Sequence, residues 1–271
     1  QQTPQSKHNF QFVLDSLASK DTTKHTPLDL HIGSLIIRHG AVKYDKRYIA
    51  SKSGVFSPAH ISISDLSTHI IANHITDDAI NLHIKKLAFR DKSGLQLNSL
   101  SFKLDANKRE ASLKEFELQL PHSDITLGDI HATYRFDNGK LVMPSLQYSG
   151  SIEQSKITLS DIACLLPIFR HFEDAVFFET QFTGTSTSLR CQKINFKTGS
   201  GSINLQAKGR ISDWNSRPAW DVDIANLNLT EESISFISHN LGKKINVPKE
   251  VTRLGGIHYV GHLSGHGDRL S

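Results

Sequence analysis

The chain is short of the features that announce a known chemistry. Two cysteines, Cys164 and Cys191, stand among 271 residues. They lack the spacing of a zinc site or a redox motif. They read as two semi-buried free thiols or, in an oxidising compartment, as a pair closing a loop worth about 3 kcal/mol. Charge of one sign is nearly balanced: Lys+Arg is 31 and Asp+Glu is 27, a formal +4. That is too dilute a positive charge for a nucleic-acid footprint. No run approaches the roughly 18 apolar residues that span a bilayer, and the polar opening Gln1–Asn9 does not read as a secretory leader. A Gly-rich phosphate loop, a nucleophile elbow and a kinase signature are all missing. Disorder is excluded by the supply of Leu, Ile, Val and Phe within a 38% apolar content. The Gly265–Ser271 end carries no capping element, so the chain reads as a piece of a longer protein.

What is present is alternation with a period of two. Leu82 and Ile84 alternate with polar residues, as do Leu87 and Phe89, Leu95 and Leu97, and Leu100, Phe102 and Leu104. Phe116, Leu118 and Leu120 continue it, then Ile125 and Leu127, then Ile130, Ala132, Tyr134 and Phe136. Each segment has one apolar and one wet face, the antiparallel pattern rather than the buried parallel one. The phase slips between Ile84 and Leu87, Leu97 and Leu100, and Leu127 and Ile130. A continuous strand cannot change parity and keep one face dry, so each polar pair there marks a bulge or tight turn. Turn signals separate the segments at 91–94, 107–110, 122–124 and 137–140.

The segments form a loose repeat starting at Leu87, Leu100, Phe116 and Ile130, with weaker copies at Leu35, Leu66, Ile194 and Leu227. The expectation is a mainly β fold: an elongated antiparallel repeating β-groove, gutter- or taco-like, with two or three short helices. A sandwich of two packed sheets is the alternative. Residues 1–25 read as a polar segment with a short helix over Asn9–Ser19, and 26–271 as the repeating array. A second helix is expected over Ser160–Phe172, with Ile162, Leu165, Leu166 and Phe169 at helical spacing. A third is expected over Thr230–Leu241, with Ile234, Ile237 and Leu241 inward. The groove wall is expected to comprise Leu35, Ile37, Leu87, Phe89, Leu97, Leu100, Phe102, Leu104, Phe116, Leu118, Leu120, Ile130, Ala132 and Tyr134 on one continuous surface.

Catalytic and metal searches return little. His258, His262 and His266 are spaced by four among glycines that disfavour a helix, and on a strand such positions lie about 13 Å apart, too far to share an ion. His69, His83, His122 and His131 occupy wet positions. Asp221 and Asp223 share a strand face near Trp214 and Trp220, which suits a glycosidase or merely an exposed strand face. The reading is non-enzymatic, with no metal and no cofactor.

Three stretches resemble one family: residues 27–44 (PLDLHIGSLIIRHGAVKY), 113–123 (LKEFELQLPHS) and the region 148–167. They are similar to TamB-like proteins, the AsmA-related translocation and assembly module of Gram-negative bacteria, and the likeness covers most of residues 27–242. The resemblance implies a periplasmic β-groove moving phospholipid between inner and outer membranes and supporting outer-membrane integrity. It also implies an outer-membrane assembly barrel as partner; the apolar face itself suits acyl chains against the groove wall, and the one-sided stripe of the 160–172 helix suits a plug. The full-length protein would be anchored in the inner membrane, with this chain an internal fragment. An assembly scaffold for outer-membrane proteins is the alternative role.

Overall fold

The computed structural model describes residues 28–241, 255–267 and 269–270. The expected helix over 9–19 lies outside them. Strands β1 (Asp29–Asp45), β2 (His60–Thr76), β3 (Ala79–Asp91), β4 (Gln96–Asn107) and β5 (Glu110–Gln119) meander through short connections. Two four-residue strands follow, β6 (Asp124–Leu127) and β7 (Ile130–Thr133), then the hairpin β8 (Phe136–Asp137) and β9 (Lys140–Leu141). Strands β10 (Gln147–Ile157), β11 (Val176–Thr185), β12 (Ser188–Thr198), β13 (Ile203–Ser212) and β14 (Ala219–Thr230) continue the meander. Helix α1 (Glu232–Leu241), β15 (Gly256–His266) and β16 (Arg269–Leu270) complete it.

All strands but β8 and β9 form one antiparallel sheet, in the order β1-β2-β3-β4-β5-β6-β10-β11-β12-β13-β14-β15-β16. The short strand β7 pairs with both β5 and β10, so β6 and β7 share one position in the sheet. This is the mainly β, elongated groove expected from the alternation. The turn signals hold their places: Asn138 (φ 49°) and Gly139 (φ 74°) form the left-handed pair that a two-residue hairpin needs between β8 and β9.

The parity slips are register shifts. Between β3 and β4 the pairing skips from Ile84↔Phe102 to Leu87↔Leu100, then to Phe89↔Leu97. At Gly128-Asp129 the chain leaves strand geometry between β6 and β7. Further shifts fall between Ile37 and Gly40, Ser64 and Ser67, Ile152 and Ser155, and Cys191 and Ile194. His39, Asp65 and Glu115 take left-handed φ values of 52–53° beside such shifts. A bulge bends its strand and raises its twist. Bulges recurring near mid-strand crease the sheet along its length, and a sheet this wide does not stay flat.

The helical expectations are met in part. Helix α1 forms, with Ser233, Ile234 and Asn240 sheltered and the Ser233 hydroxyl donating to Thr230 O at 2.7 Å. The expected helix over Ser160–Phe172 does not form. It is two 3-10 turns, Leu159–Ile162 and Pro167–His171. Pro167 supplies no N–H, and Leu166 before it is not helical (φ −130°, ψ 88°). The segment doubles back so that Ser160 N–H donates to Phe172 O at 3.0 Å, a closure that a straight helix of that length cannot make.

This segment and α1 lie at one set of strand ends, where they form a capped rim. Phe56 N–H in the β1–β2 loop donates to Cys164 O at 2.8 Å. Asp161, its side chain 2% exposed, accepts from Ser123 Oγ at 2.7 Å, His122 N–H at 3.0 Å and His122 Nδ1 at 2.8 Å. Asp91, sheltered in the neighbouring turn, accepts the N–H groups of Ser62 and Ser93. Burial opposes its ionised form, but the hydrogen bonds it accepts outweigh burial and hold its pKa below the ordinary carboxylate value.

Candidate functional site

The candidate site is the apolar face of the sheet. Residues directly opposite one another in an antiparallel pair share a face. Leu35 stands opposite Ile70, Ile70 opposite Ile84, and Ile84 opposite Phe102. The Phe102 ring stacks on Phe116, with centroids 6.3 Å apart and planes at 22°. From Phe116 the row continues through Leu127, Ile152, Thr180, Ile194, Ala207 and Ile224. It therefore crosses the sheet from β1 to β14. A second row joins Ile37, Thr68, Leu87, Leu100, Leu118 and Ile125. On its other flank Leu104 lies between Leu82 and Leu113, Leu113 faces Ile130, and Ala132 lies between Ala111 and Tyr148.

The register thus brings twelve of the fourteen named wall positions into paired strands: Leu35, Ile37, Leu87, Phe89, Leu97, Leu100, Phe102, Leu104, Phe116, Leu118, Ile130 and Ala132. Leu120 and Tyr134 fall outside the strands. Leu120 sits in the β5–β6 turn, its N–H donating to Ser123 O. Tyr134 follows β7, where its hydroxyl donates to the carbonyls of Asn107 and Glu110 and burial pushes its pKa up. Leu165 and Leu166 are 43% and 50% exposed on the rim segment, so they do not form an inward stripe with Ile162 and Phe169. Phe169 instead packs edge-on against Phe172, with centroids 5.4 Å apart.

The sequence reading left out the second half of this surface. Phe178, Phe196, Leu205 and Leu227 are directly opposite in succession, as are Ile211 and Trp220. Few of these side chains are fully sheltered. Among the described residues the buried apolar ones are Ala72, Leu97, Cys164, Ala207 and Ile224, and the Phe rings of both halves are half-buried. A folded chain of this size ordinarily encloses many large apolar side chains. Among the described residues the only other sheet is the two-stranded β8–β9 hairpin.

Two hydroxyls on the apolar face serve the bulges. Thr68 Oγ1 donates to Lys86 O at 3.1 Å, and Thr180 Oγ1 donates to Lys193 O at 2.7 Å. Both carbonyls lie beside a register skip, where the ladder is interrupted, and each accepts a threonine hydroxyl.

The opposite face is wet and charge-paired. Lys103 meets Glu115 at 2.5 Å, Lys193 meets Glu179, and Lys208 lies 3.6 Å from Asp223. The hydrogen bonds from Lys103 and Lys193 hold the Glu115 and Glu179 carboxyls below their ordinary pKa. His262 Nδ1 bonds Asp223 at 2.8 Å, which raises the imidazole pKa and lowers that of the carboxyl. Burial lowers the His83 pKa, helped by Lys103 and Lys85.

Two candidate hydrolytic sets among the described residues are not assembled as such chemistry needs. Trp220 faces the apolar side, directly opposite Ile211, while Asp221 and Asp223 are on the wet side with His262. Ser123, His122 and Asp161 meet in the rim, but the carboxylate takes both the serine and the imidazole, and Ser123 is 1% exposed. A relay would need serine on the imidazole. Among the described residues no group of three or more His, Cys, Asp or Glu could hold a metal ion, and both cysteines are free. Compared with known proteins, the chain matches no family model, no curated protein and no solved structure.

Proposed function

We propose that this β-groove conducts lipid: a non-enzymatic, periplasmic bridge carrying phospholipid between the inner and outer membranes, with acyl chains along its apolar face. The observation that supports the reading most is the row of apolar side chains running from Leu35 to Ile224 without a charged residue. An acyl chain laid on such a row is stabilised by about 0.8 kcal/mol per buried CH₂. The lone polar member, Thr180, has its hydroxyl turned to a backbone carbonyl. In this reading the chain is part of a protein anchored in the inner membrane and meeting an outer-membrane assembly barrel.

The outer edge of β1 favours a second reading, a scaffold for outer-membrane protein assembly. It is 17 residues long and has no strand partner among the described residues, the geometry that strand addition uses. Native mass spectrometry of protein purified from membrane-containing lysate decides between them. The lipid reading expects bound phospholipid on the wild type and its loss from Phe102→Asp and Leu118→Asp proteins that keep a folded β spectrum. A charge there costs several kcal/mol against acyl chains. Lipid retained by a folded double variant, or absent from the wild type, sinks the conduit and leaves the scaffold ahead.

A further inference from the structure

At the rim opposite the capped one, a depression of about 590 Å³ opens on the wet side. Its floor is a cross-strand row. His131, Ser149, Thr183, Arg190 and Arg210 stand directly opposite one another in succession on β7, β10, β11, β12 and β13. Directly opposite side chains have Cβ atoms about 5 Å apart, and like charges so placed destabilise the pair. Arg190 and Arg210 are such a pair.

Three lysines elsewhere on the wet face, Lys103, Lys193 and Lys208, meet carboxylates across strands. The two arginines do not. Asp221 stands opposite Arg210 on β14, but the ion-pair distance its carboxylate makes is to His262 Nε2, at 3.6 Å. Neither arginine has an ion-pair partner among the described residues. Around the two guanidiniums the lining is hydroxyl-rich: Ser149, Thr183, Thr185, Ser188 and Ser212.

We infer that this depression binds a phosphorylated polyol, with the phosphate between Arg190 and Arg210 and its hydroxyls against the serines and threonines. A planar carboxylate is matched by one guanidinium fork, whereas a tetrahedral phosphate accepts two. The bound anion also removes the repulsion between the arginines. Neutral hydroxyl donors and acceptors suit sugar or glycerol hydroxyls. The ligand is either a free polyol phosphate or the headgroup of a phosphoglycerolipid. The site stands whether or not the apolar face carries acyl chains.

The test uses the full chain with two probes, glycerol 1-phosphate and vesicles of phosphatidylglycerol, each followed by calorimetry and thermal melting. Glycerol and phosphatidylcholine vesicles serve as controls. The wild type is expected to bind at least one probe and to melt higher with it. Arg190→Gln or Arg210→Gln should weaken that binding about ten- to a hundredfold, the loss of one charged hydrogen-bonding partner. Without ligand, either variant should melt no lower than the wild type. Arginine-dependent binding of the soluble phosphate identifies a free ligand, and arginine-dependent capture of vesicles alone identifies a headgroup. Binding of neither probe, or equal binding by the folded Arg190→Gln/Arg210→Gln protein, overturns the site. Lipid loss from Phe102→Asp reads the apolar face separately, so the two ideas fail independently.

Discussion

A polar residue on an apolar row looks like a blemish until its partner is found. Thr180 is 4% exposed and lies between Ile152 and Ile194, yet its hydroxyl donates to Lys193 O beside the β11–β12 register skip. Valine keeps the shape and removes the donor. Thr180→Val should therefore destabilise by about 1–3 kcal/mol, the cost of an unsatisfied buried carbonyl. Urea unfolding checks this, and a gain in stability would mean that water reaches Lys193 O. On the wet face, His262 and Asp223 make a pH-dependent prediction. The imidazole pKa is raised in the fold, so its contribution is present below its unfolded value, about 6.5, and fades as pH climbs through the folded one. The carboxyl pKa is lowered, so its contribution persists above about 3.9 and is lost as pH falls through its folded value. Between those limits the pair ties β15 to β14. Hydrogen exchange of β15 amides should be slower in wild type than in His262→Gln near pH 5, with the difference shrinking by pH 8. High salt should reduce it, since both groups are exposed.

At the scale of elements, the rim segment tests how packing overrules spacing. Ile162, Leu165, Leu166 and Phe169 have helical periodicity, and periodicity alone reads as a helix. Pro167 and the closure of Ser160 onto Phe172 break it into two 3-10 turns. What fastens the segment is polar: Asp161 on Ser123 and His122. Asp161→Ala should cost about 2–3 kcal/mol through orphaned buried donors, while Leu165→Asp, at a 43% exposed position, should stay within about 0.5 kcal/mol. Chemical denaturation of both variants ranks them, and the reverse order would put the segment's hold in its leucines. The bulges were more legible than this segment because a strand's period of two is rigid, so Ile84 and Leu87 cannot share a face without an inserted residue. The same slip separates Ile152 from Ile157, Cys191 from Ile194, and Ile224 from Leu227. It was harder to read because Gly150, Thr180 and Gly209 take the places of large apolar residues there. Gly150 leaves room that Ile130 fills: an added Cβ would meet Ile130 Cδ1 at 2.1 Å. Which hydroxyl serves which bulge, and which arginines meet, depends on strand register that alternation alone does not number.

For the whole molecule, the decisive quantity is length across the strands. The sheet has thirteen successive positions from β1 to β16, and strands lie about 4.8 Å apart, so its width followed around the curve is about 58 Å. A compact globule of this chain length has a radius of gyration of about 18 Å. A sheet folded back on itself as a sandwich would approach that value, because half its positions would stack over the other half. An open trough does not, and its pairing pattern is open: β1 pairs with β2 and β15 with β14 and β16, with no bond joining the two edges among the described residues. Small-angle scattering of the monomer should give a radius of gyration above about 20 Å and a skewed distance distribution reaching beyond about 60 Å. The same curve should persist in the Phe102→Asp protein. A charge on a half-buried position of an open face can turn to water, whereas inside a closed sandwich it would be trapped and unfold the core. A compact profile for the wild type, or global unfolding of that variant, would show the apolar rows pressed against each other and leave no face for a ligand.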